Sequence, residues 1–488
     1  MRSHSVSYCA GAGFLLVSTL VSPTYASTIV SQVHEIGIEN TYKPQNFSFL
    51  DSVLRGKEIV QLGESIHVTK ELPLVRLHFV KYLHQELGFD VLTLEGSAIE
   101  AWLAMDGLYN SRKQNETERA QDAQEKAWFG LWQTESMLEL MKYIDSTIDH
   151  AKPLYLSSFD VQPGNSRKFH GNKPFKQLFE AVSHYSKSPL LDRDRMAAVF
   201  DNLVAIGRAP NERCTDKNWL HEASSYVNEF ERWVATTVTE VAKETTQYHA
   251  NALMLLPDNI RDRIDLCSYV ANNSEAHSYQ IRRDQLSAEN VLMLKDRLSS
   301  VKKVITWGHH SHLHYNATHE NINSMGEHLK ETLGDRIYTI GTFVGSGRIL
   351  GVDDDELFPV FEINVEPRAI GEIEAALASI GPNAFFLDLN QIADEELATL
   401  GWAKPSTMVF EGLDKRPTIF SKDFDGAIYI GKVSPQTLRF LDKSFLRVIS
   451  RLNGIYVSHK VWVLGLAGSL LLAFTLFLVR FICCRVRP

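Results

Sequence analysis

The stretch KEIVQLGESIHVTKELPLVRLHFVKYLHQELGFDVLTLE, residues 57–95, decides the fold class of this chain. Its first seven residues are mostly apolar and predict a strand that turns polar at Glu64. Apolar residues then recur at helical spacing over 69–87, which indicates an amphipathic helix. A glycine follows directly as a helix terminator, and the run 89–94 predicts a second strand that ends at Glu95. Such a helix is long enough to form the crossover between two parallel strands.

The same design recurs further along the chain, where short apolar runs alternate with longer amphipathic segments. Further strands are predicted at 154–159, 301–307, 336–343, 384–388 and 426–430. Helices are predicted at 124–148, 190–209, 216–248 and 275–300. This alternation is typical of α/β proteins. We therefore expect a mostly parallel central sheet covered by helices over 27–431, with helical insertions at about 100–150 and 170–300.

Acidic and histidine side chains follow four of the predicted strands. They are Glu64, His67, Glu95, Asp160, His309 and His312. The carboxyl ends of parallel strands meet at one edge of the sheet, and open α/β sheets bind their ligands there. A single polar residue after a strand is more often a feature of packing than of function. Four strands that deliver acids and histidines to one edge favour a functional site.

The residue types at this edge suit the activation of water. A histidine near neutral pH can take a proton from water, and a carboxylate beside it fixes its tautomer. Glu64 and His67 are three residues apart and can meet in one loop, and Glu95 is expected to arrive from the neighbouring strand. Arg76 lies two turns into the predicted helix. It either pairs with a carboxylate or an oxyanion or lies on a solvated helix face, and its position alone favours neither.

Composition and motifs argue against several other functions. The formal net charge is -9 and the body has no basic stretch, which argues against a nucleic-acid partner. The sequence contains no G-x-S-x-G nucleophile elbow and no H-E-x-x-H zinc helix. Nothing in the sequence indicates an oligomeric state.

Both ends of the sequence have the features of membrane targeting. Residues 1–26 combine a basic start, an apolar run and a final small residue, which predicts a secretory signal peptide, with a short uncleaved anchor as the alternative. Residues 461–479 contain no charge and, at about 28 Å as a helix, are long enough to cross a bilayer. Arginines in the tail 480–488 favour its cytoplasmic side. We therefore expect a single-pass membrane protein that contacts the lipid bilayer through 461–479, with its body periplasmic or extracellular and a stalk at 432–460.

Two of the five cysteines, Cys214 and Cys267, fall in the predicted exported body. In an oxidising compartment such a pair can form one disulfide. Two buried free thiols are the alternative, because sequence spacing does not give the distance between two residues.

Several segments of the chain resemble the erythromycin esterase family. They are G-E-S-I-H at 63–67, Arg76, G-F-D-V-L-T-L-E at 88–95, F-D-V-Q at 159–162, an R-D…N pattern at Arg283, Asp284 and Asn290, W-G-H-H-S-H at 307–312, the stretch 326–347 and the closing strand at Asp425. Each match is weak alone. Their order and spacing are more specific, and together they span roughly 55–432.

The resemblance implies an α/β fold and the hydrolysis of a carboxylic ester, in the type case a macrolide lactone, without a seryl intermediate. It also implies that His67 is the general base and that Glu64 and Glu95 orient this histidine or the water. The residues expected to bind the carbonyl oxygen or assist the leaving alcohol are Arg76, His309 and His312. Those expected to contact the substrate are Asp160, Gln162 and Arg283.

His310 stands where the family usually has an asparagine, which leaves a turn rich in histidine. No cofactor is expected, but a divalent metal held by His309, His310 and His312 stays an open alternative. Two other functions also stay open: a metal-binding or haem-binding surface protein anchored in the membrane, and a membrane-tethered metalloprotease. A membrane anchor is not required of a soluble drug-inactivating esterase. The expected small-molecule ester or lactone therefore need not be a macrolide.

Overall fold

A computed structural model gives the structure of most of the chain between Ile29 and Thr437. The residues described are 29, 32–38, 41–67, 69–111, 115–127, 132–162, 174–188, 190, 192–204, 212–273, 277–315, 323–353, 358–365, 371–409 and 415–437. The predicted signal peptide, transmembrane helix and tail, at 1–26, 461–479 and 480–488, lie outside these residues. In the part of the chain that is described, no helix is both long and apolar enough to span a bilayer.

A central sheet organises the described part of the chain. Its strands are β1 (Val33–Glu35), β2 (Ile59–Glu64), β3 (Val91–Ser97), β4 (Tyr155–Asp160), β5 (Val304–His309), β6 (Ile337–Asp353), β7 (Phe358–Val365), β8 (Ala384–Asp388) and β11 (Gly426–Val433). The strand order is β1-β8-β11-β6-β2-β5-β3-β4, and β7 pairs with β6. A separate hairpin consists of β9 (Ser406–Val409) and β10 (Lys415–Thr418).

The six strands from β11 to β4 all run parallel, as the sequence predicts. The strands β1, β7 and β8 pair antiparallel. Every residue of β2, β4 and β5 is buried, which is expected of parallel strands covered on both faces.

The prediction that Glu95 lies on the strand next to β2 is wrong. The strands β2 and β3 are not adjacent, because β5, from much later in the chain, lies between them. A strand inserted in this way leaves no local signal in the sequence. It brings the end of β5 next to the ends of both β2 and β3.

Helices surround the sheet. They are α1 (Leu50–Leu54), α2 (Glu71–Gln85), α3 (Ala98–Asn110), α4 (Glu116–Ala127), α5 (Glu135–Thr147), α6 (Pro174–Tyr185), α7 (Arg193–Val204), α8 (Lys217–Glu244), α9 (Gln247–Asn272), α10 (Ser278–Arg297), α11 (His310–Leu313), α12 (Met325–Leu333), α13 (Glu372–Ala378), α14 (Asp394–Thr399) and α15 (Phe420–Asp423). The helices α3 to α5 and α6 to α10 fall in the two predicted helical insertions. Within the described residues, the architecture is therefore a mixed α/β fold.

Two helix predictions differ from the structure. The continuous helix predicted at 124–148 is two helices, α4 and α5, because the Thr134 side chain accepts a hydrogen bond from the Met137 N–H and begins a new helix. The helix α9 was not predicted, and it contains Pro257 in its interior. A proline normally indicates a helix boundary, so the sequence pattern there is misleading.

The first residues of the predicted stalk, 432–437, fall within the described part of the chain. Residues 432 and 433 belong to β11, and 434–437 pack against the α/β domain. The rest of the predicted stalk lies outside the described residues.

Cys214 and Cys267 form a disulfide, with their Cα atoms 5.1 Å apart. It joins a short 3-10 turn, Glu212–Cys214, to α9. Both cysteines are buried. Of the two alternatives that the sequence leaves open, the structure shows the bridge.

This disulfide is expected to stabilise the helical insertion, because it closes a chain separation of 53 residues. Replacing both residues, Cys214→Ala with Cys267→Ala, is expected to lower the free energy of unfolding by about 2–4 kcal/mol. Urea unfolding of the full-length chain measures this change. Reductant should lower the unfolding midpoint of the wild type and leave that of the double variant unchanged. Equal midpoints for the two proteins under oxidising conditions would contradict the prediction.

Candidate active site

Four neighbouring strands carry ionisable side chains at or near their carboxyl ends, at one edge of the sheet. In the order β2, β5, β3 and β4, these residues are Glu64, His309, Glu95 and Asp160. Glu64 and His309 are direct partners in the β2–β5 register. Glu95 lies where the β3–β4 register shifts between Leu94 and Ser97. The predicted convergence of these strand ends therefore occurs.

Glu64 is the centre of the first half of the site. Its side chain has no exposed surface and accepts hydrogen bonds from two cations or potential cations. The His67 Nδ1–H donates to Glu64 Oε1 at 2.5 Å, and an Arg76 Nη2–H donates to Oε2. The Arg76 guanidinium is also fully buried and lies 4.4 Å from the centre of the Trp307 ring, a cation–π contact. Arg76 thus lies behind Glu64, and the expectation that it binds a carbonyl oxygen directly does not fit its burial.

The hydrogen bond to Glu64 determines the orientation of the His67 ring. A proton on Nδ1 leaves the basic lone pair on Nε2. The side chain of His67 is 14% exposed, whereas that of Glu64 is 0% exposed, so solvent reaches the histidine and not its partner. The His67 ring lies 4.9 Å from the His309 ring and 5.7 Å from the Trp132 ring, centre to centre.

Glu95 is the centre of the second half. Its Oε2 accepts the backbone N–H of His309 at 2.9 Å, and its Oε1 lies 3.3 Å from His312 Nε2. Arg283 Nη2 lies 3.4 Å from the same Oε1. On the far side of the His312 ring, Nδ1 lies 2.5 Å from Asp284 Oδ1. The imidazole of His312 is therefore held between two carboxylates.

These contacts set the charges of the second half. Burial alone would raise the pKa of Glu95, but the positive charges of His312 and Arg283 and the nearby His67 hold it well below its usual value. Burial likewise favours the neutral form of His312, yet the negative charges of Asp284 and Glu95 raise its pKa to about 10. At neutral pH, Glu95 is a carboxylate and His312 is an imidazolium.

His309 differs from His312 in its protonation state. Burial and the neighbouring His67 lower the pKa of His309 well below its usual value, so the ring is neutral. Its Nε2 lies 3.2 Å from the Ser65 carbonyl oxygen, and its Nδ1 lies 2.8 Å from Ser311 Oγ. The Nε2–H therefore donates to Ser65 and Nδ1 accepts from Ser311. In this arrangement the ring ties the end of β5 to the loop that follows β2.

The structure does not bring the three candidate metal ligands together. The His310 side chain lies under β2, where its Nε2 accepts the Thr342 N–H at 3.0 Å. A Cβ atom on Gly63 would lie 2.7 Å from His310 Cδ2, so this glycine provides the space that the ring occupies. Among the described residues, no group of three or more His, Cys, Asp or Glu side chains is arranged to hold a metal ion.

Of the three residues expected to contact substrate, Arg283 contacts Glu95, and Asp160 and Gln162 lie at the end of β4 or just after it. Asp160 is fully buried and accepts two hydrogen bonds from Arg283, at 2.9 Å from Nε and 2.5 Å from Nη2. Gln162 donates to the Tyr279 hydroxyl at 2.5 Å. Asp160 and Arg283 thus form a buried ion pair behind Glu95, and Gln162 is the more exposed of the three.

Sequence reasoning gave no role to two residues that the structure places in the site. Asp284 was noted beside Arg283 in the resemblance, but only the fold shows that its carboxylate faces His312. Trp132 packs edge-on against His67 and also contacts Trp307, with ring centres 6.2 Å apart. It lies between α4 and α5, where a continuous helix was predicted, so no pattern in the sequence indicates its position.

The site brings a base and a charged carboxylate–imidazolium pair to the same edge of the sheet. The Glu64–His67 pair offers a nitrogen base. The Glu95–His312–Asp284 chain offers a carboxylate and a fixed positive charge. Such a combination suits the removal of a proton from water and the stabilisation of a developing oxyanion.

Comparison with known proteins agrees with the fold. The model of the erythromycin esterase family matches residues 84–433, well over half of the chain. This range includes Glu95, His309 and His312 and begins after Glu64, His67 and Arg76. The protein YbfO of Bacillus subtilis (strain 168) is 28% identical over 423 residues, covering 81% of this chain and 88% of that protein.

Two erythromycin esterases are also similar to the chain. Erythromycin esterase type II of Escherichia coli is 21% identical over 411 residues, which cover 80% of this chain and 93% of that protein. The solved structure of a mutant of the erythromycin esterase EreC, in its open conformation, has a TM-score of 0.57 at 15% identity and covers 84% of this chain and 99% of that one. At that identity the likeness shows the fold alone. The family match confirms the resemblance noted in the sequence, and the chain belongs to the erythromycin esterase family.

Proposed function

We propose that this member of a hydrolase family cleaves a carboxylic ester or lactone with a water molecule that His67 deprotonates. The observation that supports the proposal is the Glu64–His67 pair, 2.5 Å between Oε1 and Nδ1, facing a fixed His312 imidazolium across Glu95. The erythromycin esterases among its relatives are consistent with this substrate class.

The proposed reaction needs no covalent enzyme intermediate. Glu95 accepts a hydrogen bond from one O–H of the water and so orients the molecule. His67 Nε2 takes the other proton as the water oxygen attacks the carbonyl carbon, and the first hydrogen stays on the attacking oxygen. The positive charge of His312 stabilises the oxyanion that forms. When the intermediate collapses, the bond to the leaving oxygen breaks and that oxygen takes the proton from His67. The products are the acid and the alcohol, and His67 is again neutral.

Residues further from the reacting atoms position these groups. Arg76 neutralises Glu64, and this carboxylate stabilises His67 once the histidine has gained a proton. Asp284 likewise stabilises the protonated form of His312. The neutral His309 ring links Ser65 to the end of β5 and keeps the two halves of the site at a fixed separation.

We also propose that the domain lies outside the cytoplasm and is tethered through 461–479. The disulfide between Cys214 and Cys267 supports this location, because such bridges persist in oxidising compartments. An enzyme held at a bilayer meets amphiphilic molecules at high local concentration. An ester or lactone that partitions into or near the membrane is therefore the substrate class we favour over a soluble macrolide.

The His67→Ala variant tests the proposed base. Loss of a general base typically costs about 10²–10⁴-fold in rate, so kcat/KM on a panel of aryl esters and lactones should fall by about that factor. The matched control is His221→Ala, since His221 is exposed on α8. The full-length chain in detergent serves for both measurements.

A chelator separates the proposal from its alternatives. Activity that survives the chelator and disappears in His67→Ala supports water activation by the histidine. Peptide cleavage that the chelator abolishes would indicate the metalloprotease instead. Bound metal or haem without turnover would indicate the binding protein.

The Asp284→Asn variant tests the charge on His312. A histidine with a pKa raised to about 10 stays protonated at neutral pH and loses its proton as the pH rises through that value. The wild-type kcat/KM is therefore expected to fall in that alkaline range. Without the negative charge of Asp284 the His312 pKa drops, and the alkaline limb should move to lower pH by about one unit or more.

Asp265→Asn is the matched control for this pH profile. Asp265 lies on α9 and pairs with Arg282, whose Nε is 2.7 Å from its Oδ2, on the exposed side of α10. Its variant should keep the wild-type profile. If the alkaline limb of Asp284→Asn coincides with that of the control, the imidazolium does not contribute to the reaction.

A further inference from the structure

The segment Ser434–Thr437, the strap, directly follows β11. It contacts the loop that carries His67. The Lys70 N–H donates to the Ser434 carbonyl oxygen at 2.9 Å. Thr69 and Pro435 form an isolated antiparallel bridge. The strap thus pairs with the backbone of Thr69 and Lys70, two and three residues after His67.

A carboxylate fastens this contact. Glu71, in the first turn of α2, accepts the Ser434 N–H at Oε2 at 2.7 Å and the Ser434 hydroxyl at Oε1. Both hydrogen bonds have a charged acceptor, and such bonds are roughly twice as strong as neutral ones. The bonded residues are 363 positions apart in the sequence. The Glu71–Ser434 pair therefore fixes the end of the His67 loop to the far end of the domain.

The other side of the strap contacts the segment that carries Trp132. The Glu135 N–H donates to the Thr437 carbonyl oxygen at 3.1 Å. The Ser136 hydroxyl lies 3.2 Å from Gln436 Oε1 and 3.4 Å from the Lys70 carbonyl oxygen. The strap therefore bridges the start of α2 and the start of α5.

These two helix starts flank the proposed base. His67 lies four residues before Glu71, and Trp132 lies three residues before Glu135. The two rings meet with their centres 5.7 Å apart. Thr69 and Trp132 are buried, so the walls on both sides of His67 are packed. A shift of either helix start would change the position of the His67 ring relative to Glu95.

We infer that the strap is a positioning element of the active site, and that Ser434 and Glu71 are the residues through which it holds His67. The inference rests on the proposed function, since it assumes that His67 activates water. Neither residue contacts the reacting atoms. Their effect is on geometry, and a displacement of about 1 Å at a catalytic group can cost about 100-fold in rate.

The chain contains a matched control for the Glu71–Ser434 pair. In the first turn of α13, Glu372 accepts the Ser406 hydroxyl at 2.8 Å and the Thr407 N–H at 3.2 Å, both at the same Oε2. It is an exposed Ser–Glu pair at a helix start, joined to β9, and β9 contributes no residue to the site. The variants Ser434→Ala and Glu71→Ala can therefore be compared with Ser406→Ala and Glu372→Ala in the full-length chain.

The experiment measures kcat and KM separately on an aryl ester, together with the urea unfolding midpoint. In Ser434→Ala and Glu71→Ala we expect kcat to fall by about ten-fold or more, with KM nearly unchanged, because the base is misplaced while the substrate pocket remains. The control variants should keep the wild-type kcat. Ser434→Thr retains the hydroxyl and should restore most of the rate lost in Ser434→Ala.

The outcomes separate the two claims. If Ser434→Ala and Glu71→Ala keep the kcat of their controls while His67→Ala is inactive, the strap inference is wrong and the proposed base stands. If His67→Ala itself retains full activity, the proposed function fails. A fall in kcat that matches an equal fall in the controls, or that Ser434→Thr does not restore, also overturns the inference, because it reports a general loss of stability.

Discussion

The site depends on one buried carboxylate. Glu64 has no exposed surface, and an isolated carboxylate in such a place is strongly unfavourable. Arg76 and His67 make its burial tolerable, one as a permanent cation and the other as a hydrogen-bond donor. The same need for partners fixes all three side chains. Glu64 therefore determines where the His67 ring lies and which of its nitrogens is basic.

The charges of the whole cluster follow the same rule. Four carboxylates, Glu64, Glu95, Asp160 and Asp284, face the two guanidiniums of the site and the imidazolium of His312. Among the described residues of the site, the negative charges therefore exceed these cations by one. On the proposed mechanism, a proton taken up by His67 offsets this excess, so the charge balance supports His67 as the base. This balance belongs to the folded arrangement and to no single pair.

The sequence predicts the edge of the sheet better than it predicts the order of the strands. Apolar runs that end in Glu64, Glu95, Asp160 and His309 are local patterns, and parallel pairing then brings their ends together whatever the order. The insertion of β5 between β2 and β3 depends on long-range packing, and no local pattern encodes it. For this reason the edge was predictable and the neighbour of β2 was not.

Side-chain direction explains the remaining differences. Chain position placed Arg76 near the site, but only the packing of α2 on the sheet shows that it points behind Glu64. His309 and His310 are adjacent in sequence, yet the former contacts Ser65 and the latter lies under Gly63. Trp132 reaches His67 because a helix is interrupted there, which the amphipathic pattern did not indicate.

The parallel sheet also relates the site to the chain that follows it. The strand β11 runs parallel to β6 and β2, so its carboxyl end lies at the same edge as the carboxyl ends of β2 and β5. A chain that leaves β11 must therefore pass the active-site edge before it goes elsewhere. The strap is the part of this passage that the structure describes. On the proposed anchoring, the tether begins at the wall of the active site and not at the opposite edge of the sheet.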